Sequence, residues 1–227
     1  MQKEIYILRS SVPEDYTGFK ERIFHLSSQA VNQYHPETLK TSLTVKRPPL
    51  VSVIPFKKNK IAVLSVTRNQ GPPMDLIMQE EGFVGGYIVE EAIPVAYRKV
   101  WEDASATPGV CLLTLFHRKP GLDRDTFIQR WHMGHTPLSL RLHPLWNYNR
   151  NVVLETLNSD SRWYDGIVEE QFKRPSDLLN PLIFFGPPLK VPRHMYQVLQ
   201  DTRSFIDMKN METYLAMEVH FKSTTRS

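Results

Sequence analysis

Apolar positions recur along the chain with two periods, and the switches between them mark out the elements. Residues 3–9 read as a strand, and 16–34 as a helix with Phe19, Ile23, Leu26 and Ala30 on one stripe. Two strand-like pieces follow, at 43–54, interrupted by Pro48-Pro49, and at 60–68. The paired prolines place the first at a sheet edge or bulge, since proline cannot donate to a ladder. A short helix at 74–81 and a long strand at 85–97 complete a β-α-β-β-α-β series, with turns at 10–13 and 69–73.

Residues 101–109 mix acidic, small and proline residues and form a joint, after which the order repeats. The second series has a strand at 110–119, a helix at 123–142, strands at 148–157 and 166–172, a helical turn at 175–179, a helix at 193–206 and a strand at 214–221. In that last strand Tyr, Ala, Glu and His alternate with Leu, Met, Val and Phe, which assigns His220 to a polar, solvated face.

Two such series predict an α+β fold: a tandem duplication of ferredoxin-like β-α-β-β-α-β domains, residues 1–104 and 105–227, each an antiparallel sheet with helices on one face. The bare faces need cover, so two separate sheets are expected to pack on each other as an internal pseudo-dimer, with a ligand cavity between sheet and helices. Matched by pattern, Arg9 and Phe19 fall where Arg118 and Phe127 fall, and Ser27 stands where His135 stands. The first half is then a degenerate copy.

Composition narrows the classes. Hydrophobic residues at 41% and charged residues at 23% are ordinary globular values, and no apolar run approaches the ~20 residues of a membrane span. The N-terminus carries no apolar signal core, so the cytoplasm is expected. Cys111, the lone cysteine, lies in an apolar run and is expected to be buried and unreactive. The net charge of +4 is scattered; the densest cluster, Lys57-Lys58-Asn59-Lys60, reads as a solvated turn, and nucleic-acid binding is not expected. There is no phosphate loop, paired-cysteine metal motif or GxSxG elbow.

The chemistry concentrates at residues 116–142. Asp123 is positioned as an N-cap, and Phe127, Trp131, His135, Leu138 and Leu142 share one stripe. His135 is either a core histidine fixing helix to sheet or a general acid–base group beside a pocket, with Trp131 as an aromatic wall. Tyr148 and Asn151 in the next strand could hydrogen-bond a carbonyl or phenolic oxygen. His132, His135 and His143 lack a carboxylate or cysteine to complete a ligand set, so no metal is expected, and Asp201 and Asp207 read as caps or as salt-bridge partners of Arg118 or Arg203.

Arg118-Lys119-Pro120-Gly121-Leu122, Phe127, Trp131, His135-Thr136-Pro137-Leu138, Tyr148 to Asn151, and Asp201 with Phe205-Ile206-Asp207 resemble the EthD domain of the dimeric α/β-barrel superfamily. The resemblance covers about residues 110–221; the first half matches by topology only. It implies an internal dimeric α/β barrel and fixes function poorly; the residues expected to carry the chemistry are His135 and Tyr148 as catalytic groups, with Trp131, Asn151 and Arg118 as substrate contacts. Relatives span several chemistries, so the fold alone is an analogy. The first expectation is a cofactor-independent dehydratase, decarboxylase or isomerase for a hydrophobic, oxygenated, aromatic or polyketide-like substrate. The alternatives are an EthD-type oxidoreductase or monooxygenase, and a non-catalytic protein binding a hydrophobic metabolite or haem, the latter through His135. The resemblance leaves open whether the molecule pairs again as a homodimer.

Overall fold

The computed structural model describes residues 1–10, 13–69 and 71–224; Ser11, Val12 and Gln70, which belong to two expected turns, lie outside the described residues. Strand β1 (Gln2–Arg9) leads to helix α1 (Tyr16–Tyr34), whose N-cap Asp15 accepts a 2.8 Å hydrogen bond from Gly18 N. His35 ends the helix in the left-handed region at φ 46°, and Pro36 follows. Then come β2 (Thr38–Leu43), β3 (Ile61–Arg68), α2 (Asp75–Met78) and β4 (Phe83–Val95). The second half has β5 (Val110–Phe116), α3 (Arg124–Gln129), a π-helical segment (Arg130–His135), α4 (Thr136–Leu142), β6 (Asn147–Thr156) and β7 (Gly166–Phe172). It closes with α5 (Pro175–Leu179), α6 (Pro181–Phe184), α7 (Val191–Phe205) and β8 (Glu212–Lys222).

The eight strands form one closed barrel in the order β1-β3-β2-β8-β5-β7-β6-β4, every named pairing antiparallel. Within each half the order is last, first, third, second: β4-β1-β3-β2 and β8-β5-β7-β6. The halves join edge to edge through β2 with β8 and β4 with β6. The expected α+β barrel is present, but the expected pair of separate, face-packed sheets is corrected to one continuous sheet. Each four-stranded half has two edges of unpaired N–H and C=O groups, and closure pairs both.

Closure buries both faces of the strands. Outside, Tyr6, Leu8, Leu39 and Leu64 pack under Phe19, Ile23, Leu26 and Ala30 of α1, while Phe116, Val152 and Val168 pack under Phe127, Trp131 and Phe205. Inside, a belt of Ile5, Ile7, Val63, Leu113 and Ile167 separates two polar ends. At one end Lys40 Nζ lies 3.0 Å from Glu169 and 3.1 Å from Glu218, Ser42 donates to Glu169 at 2.6 Å, and Tyr97 donates to Glu218 at 2.5 Å.

This interior corrects two expectations. The second strand occupies Thr38–Leu43 and not 43–54, because Lys40 and Ser42 are its inward residues, and the ion pairs of Lys40 and the hydrogen bond of Ser42 replace the apolar signal of a core strand. The Tyr, Ala, Glu and His face of β8 turns into the barrel, so His220 is not solvated but sits 2.6 Å from Tyr97 Oη and 3.3 Å from Glu218. Cys111 is buried on the same inner face, and burial pushes its thiol up. Among the described residues no helix is long and apolar enough to cross a membrane.

Candidate functional site

Between the outer face of β5–β8 and the helices of the second half lies a cavity of about 520 Å³. Its walls are largely apolar, and the polar groups that line it include His135, Ser139, His143, Tyr148 and Glu170. The helix above it is built from three pieces where one was expected. Asp123 caps α3 by accepting from Thr126 N at 2.8 Å; further on, the ladder widens, so that Thr136 N–H reaches Trp131 O five residues back. Thr136 Oγ1 donates to the same carbonyl at 3.1 Å, and Pro137, lacking an N–H, cannot offer the next bond. On the cavity side Trp131 meets Phe116 edge to face, with centroids 4.9 Å apart at 76°. Gly166 permits this approach: a Cβ there would meet the Phe116 ring and come within 2.8 Å of Trp131.

His135 is held from both sides. Its Nδ1 lies 2.6 Å from Asp201 Oδ2 on α7, and its Nε2 lies 3.2 Å from Ser139 Oγ one turn on. With Asp201 ionised, Nδ1 carries the proton and donates, which leaves Nε2 as the acceptor at the cavity. Tyr148 Oη accepts from Trp131 Nε1 at 3.4 Å, and burial raises its pKa. Directly across the ladder from Tyr148 stands Glu170. Its carboxyl has no hydrogen-bond or ion-pair partner among the described residues. Burial pushes its pKa up to about 7, with nearby His135 pulling the other way. His143 donates Nδ1–H to Phe184 O at 3.0 Å and stacks on that ring at 3.9 Å; burial lowers its pKa to about 4, so it is neutral near pH 7.

Of the residues singled out from sequence, His135, Tyr148 and Trp131 meet at the cavity; Asn151 and Arg118 do not. Asn151 is three residues from Tyr148 on one strand, and an odd step puts it on the opposite face. It points into the barrel, where Nδ2 donates to Ile167 O at 3.0 Å and Oδ1 has no partner. Arg118 lies past the end of β5, its N–H donating to Asp165 at 3.0 Å and its side chain 41% exposed. Asp201 pairs with His135 where a cap or an arginine partner was expected, while Asp207 closes a turn by accepting from Lys209 N and Asn210 Nδ2.

Ser139 and Glu170 were missed by sequence reasoning, and Asp201 and His143 were named there in other roles. Two carried a signal. Asp201 shares a stripe with Val198 and Phe205, and Glu170 falls between Val168 and Phe172 on the apolar face of its strand. His132 does not line the cavity; its buried Nε2 lacks a partner, and burial with nearby Arg150 lowers its pKa to about 4. Among the described residues no three His, Cys, Asp or Glu side chains group to hold a metal ion.

Solved structures with this fold include the following two. An anthrone oxidase-like protein superposes with a TM-score of 0.61 at 7% identity, over 98% of this chain and 94% of its own. A protein of Fusobacterium nucleatum subsp. nucleatum, provisionally assigned as a monooxygenase, superposes with a TM-score of 0.52 at 10% identity, over 97% and 92%. At such identities the likeness is one of fold: a mixed α+β chain on a closed eight-stranded antiparallel barrel. No family model matches the sequence, EthD included, and no curated protein matches it.

Proposed function

We propose that the chain is an oxidoreductase that deprotonates and oxidises a hydrophobic, anthrone-like hydroxyaromatic in the His135 cavity. The observation that carries this reading is an apolar cavity of about 520 Å³ with a carboxylate-oriented imidazole on its helix wall and the buried carboxyl of Glu170 on its sheet wall. His135 Nε2 takes a proton from an activated ring CH₂, while Asp201 holds Nδ1–H and stabilises the imidazolium. Glu170, largely protonated below neutrality, and Tyr148 then donate to the oxygen on which charge develops. The resonance-stabilised anion gives its electrons to dioxygen. The CH₂ becomes C=O and the second oxygen atom leaves as water, so that R₂CH₂ + O₂ gives R₂C=O + H₂O.

The same proton transfer would begin a dehydration, decarboxylation or isomerisation. The shared fold with an anthrone oxidase-like protein and a monooxygenase-type protein favours oxidation. We also read the halves as tandem ferredoxin-like units, 1–104 and 105–227, the second of EthD type; their matching strand orders support this. Ser27, the counterpart of His135, is buried with its Oγ on Ile23 O at 2.8 Å and Thr41 at 3.0 Å, in a half whose helix–sheet space is filled with apolar side chains.

Oxygen uptake and product spectra with anthrone and related hydroxyaromatics test the proposal. Wild type is expected to consume O₂ with substrate, and His135→Gln to lose about 100-fold or more in kcat with its far-UV circular dichroism retained. Unchanged turnover in that variant would remove His135 from the mechanism. A dehydrated or decarboxylated product without O₂ uptake would move the assignment to a lyase, and binding without any turnover to a carrier.

A further inference from the structure

At the barrel mouth remote from the Lys40 network, a second cavity of about 340 Å³ opens where the end of β1 meets the turns before β3 and β8 and the β6–β7 loop. We propose that this cavity binds a small, multiply charged oxyanion, a phosphate ester or a polycarboxylate. It is a site separate from the His135 cavity and does not rest on the function assigned there.

Four cations line it, Arg9, Lys57, Arg162 and Lys209, against the single carboxylate of Glu212. That carboxylate is already committed. Arg9 Nη2 reaches it at 2.7 Å, Arg162 Nη1 at 3.2 Å and Tyr214 Oη at 2.5 Å. Among the described residues Lys57 and Lys209 have no carboxylate partner, and the Nε of Arg9 is a buried donor without an acceptor. Converging like charges repel unless a counter-charge sits between them, and arginine forks with lysine ammonium groups match the geometry and charge of an oxyanion.

The cations are carried by anchored backbone. Lys57 N donates to Thr213 O at 2.8 Å, and Asp207 locks the turn that presents Lys209 and Asn210. Asn59, held near Tyr214 Oη at 3.3 Å, adds a neutral amide to the lining. A concave volume at the low end of the small-molecule range suits a compact anion better than an extended polymer. The turn also divides the two cavities: Met208 and Met211 line the apolar one, Lys209 and Asn210 the polar one.

Thermal unfolding and calorimetric titration with inorganic phosphate and with citrate, against chloride at matched ionic strength, test the site. A saturable rise in Tm at millimolar phosphate or citrate, absent with chloride, is expected, because a ligand that binds only the folded state stabilises it by mass action. Tighter phosphate binding would identify the phosphoryl class, and tighter citrate binding the polycarboxylate class. The triple variant Lys57→Gln, Arg162→Gln, Lys209→Gln, confined to exposed side chains, should bind at least about tenfold more weakly with its unliganded Tm little changed; Lys209→Glu alone should weaken binding in the same direction. No rise above chloride with either anion, or equal binding by the variants, would overturn the proposal.

Discussion

Glu170 links the cavity to pH. Its neighbours on the outer face of β7 are Val168 and Phe172, and burial lifts its carboxyl from 4.5 to about 7. The folded state therefore favours the neutral form. The stability this confers, relative to an ionised carboxyl, is complete below about pH 4.5 and is lost as pH rises through about 7, a cost of about 3 kcal/mol at 1.36 kcal/mol per pH unit. Glu170→Gln keeps the shape and removes the ionisation. In urea denaturation it should exceed wild type by about 2–3 kcal/mol at pH 8 and match it at pH 4.5; equal midpoints at pH 8 would mean that the carboxylate ionises there without penalty. His143 acts in the opposite sense: its lowered pKa of about 4 costs stability as pH falls from about 6.5 through 4. Trp131 and His135 were legible as one helical stripe. Asp201 was not, because its partner is 66 positions away and only the packing of α7 on the π-helical segment brings them to 2.6 Å.

At the scale of elements, the π-helical segment carries the helix wall of the cavity. It closes i→i+5 where an α-helix closes i→i+4 and so takes up one extra residue, while Trp131, His135 and Ser139, at four-residue steps, all line the cavity. Deleting Met133, whose side chain is 76% exposed, should restore α-helical spacing with little rotation of the downstream residues, because five residues at about 100° each turn through nearly the angle that the six residues of the wide segment span. The expected result is a folded protein by circular dichroism that keeps the turnover dependent on His135; lost turnover with the fold retained would show that the wide turn itself positions the site. Helix existence was readable from the stripe, whereas the widening was not: Pro137 and the polar Thr136 permit it, but the pull comes from Trp131 seated over Gly166. Strand parity, by contrast, was available in the sequence and separates Tyr148 from Asn151 without any coordinates.

For the whole molecule, closure turns polar strand faces into an interior. Lys40 neutralises two buried carboxylates contributed by the other half, Glu169 and Glu218, so the ion cluster crosses the β2–β8 seam. Lys40→Ala leaves both charges without their cation and should destabilise the fold by about 3–5 kcal/mol in urea denaturation, whereas a surface lysine change should cost under about 0.5 kcal/mol. A loss no larger than the surface control would mean that the carboxylates take up protons or water at little cost.

The order of strands and helices, the repeat of that order and the stripe bearing Trp131 and His135 are determined by the sequence itself, because periods of 2 and 3.6 express which neighbours along the chain share a face. Which polar face looks inward was decided by tertiary structure, since a residue such as Glu218 reads as solvent-facing until the far edge of the sheet returns to enclose it. The pairing of His135 with Asp201, the burial of Glu170 and the convergence of Arg9 with Lys209 belong to the same class. Each depends on residues distant in the chain, and a one-dimensional pattern carries no term for that distance.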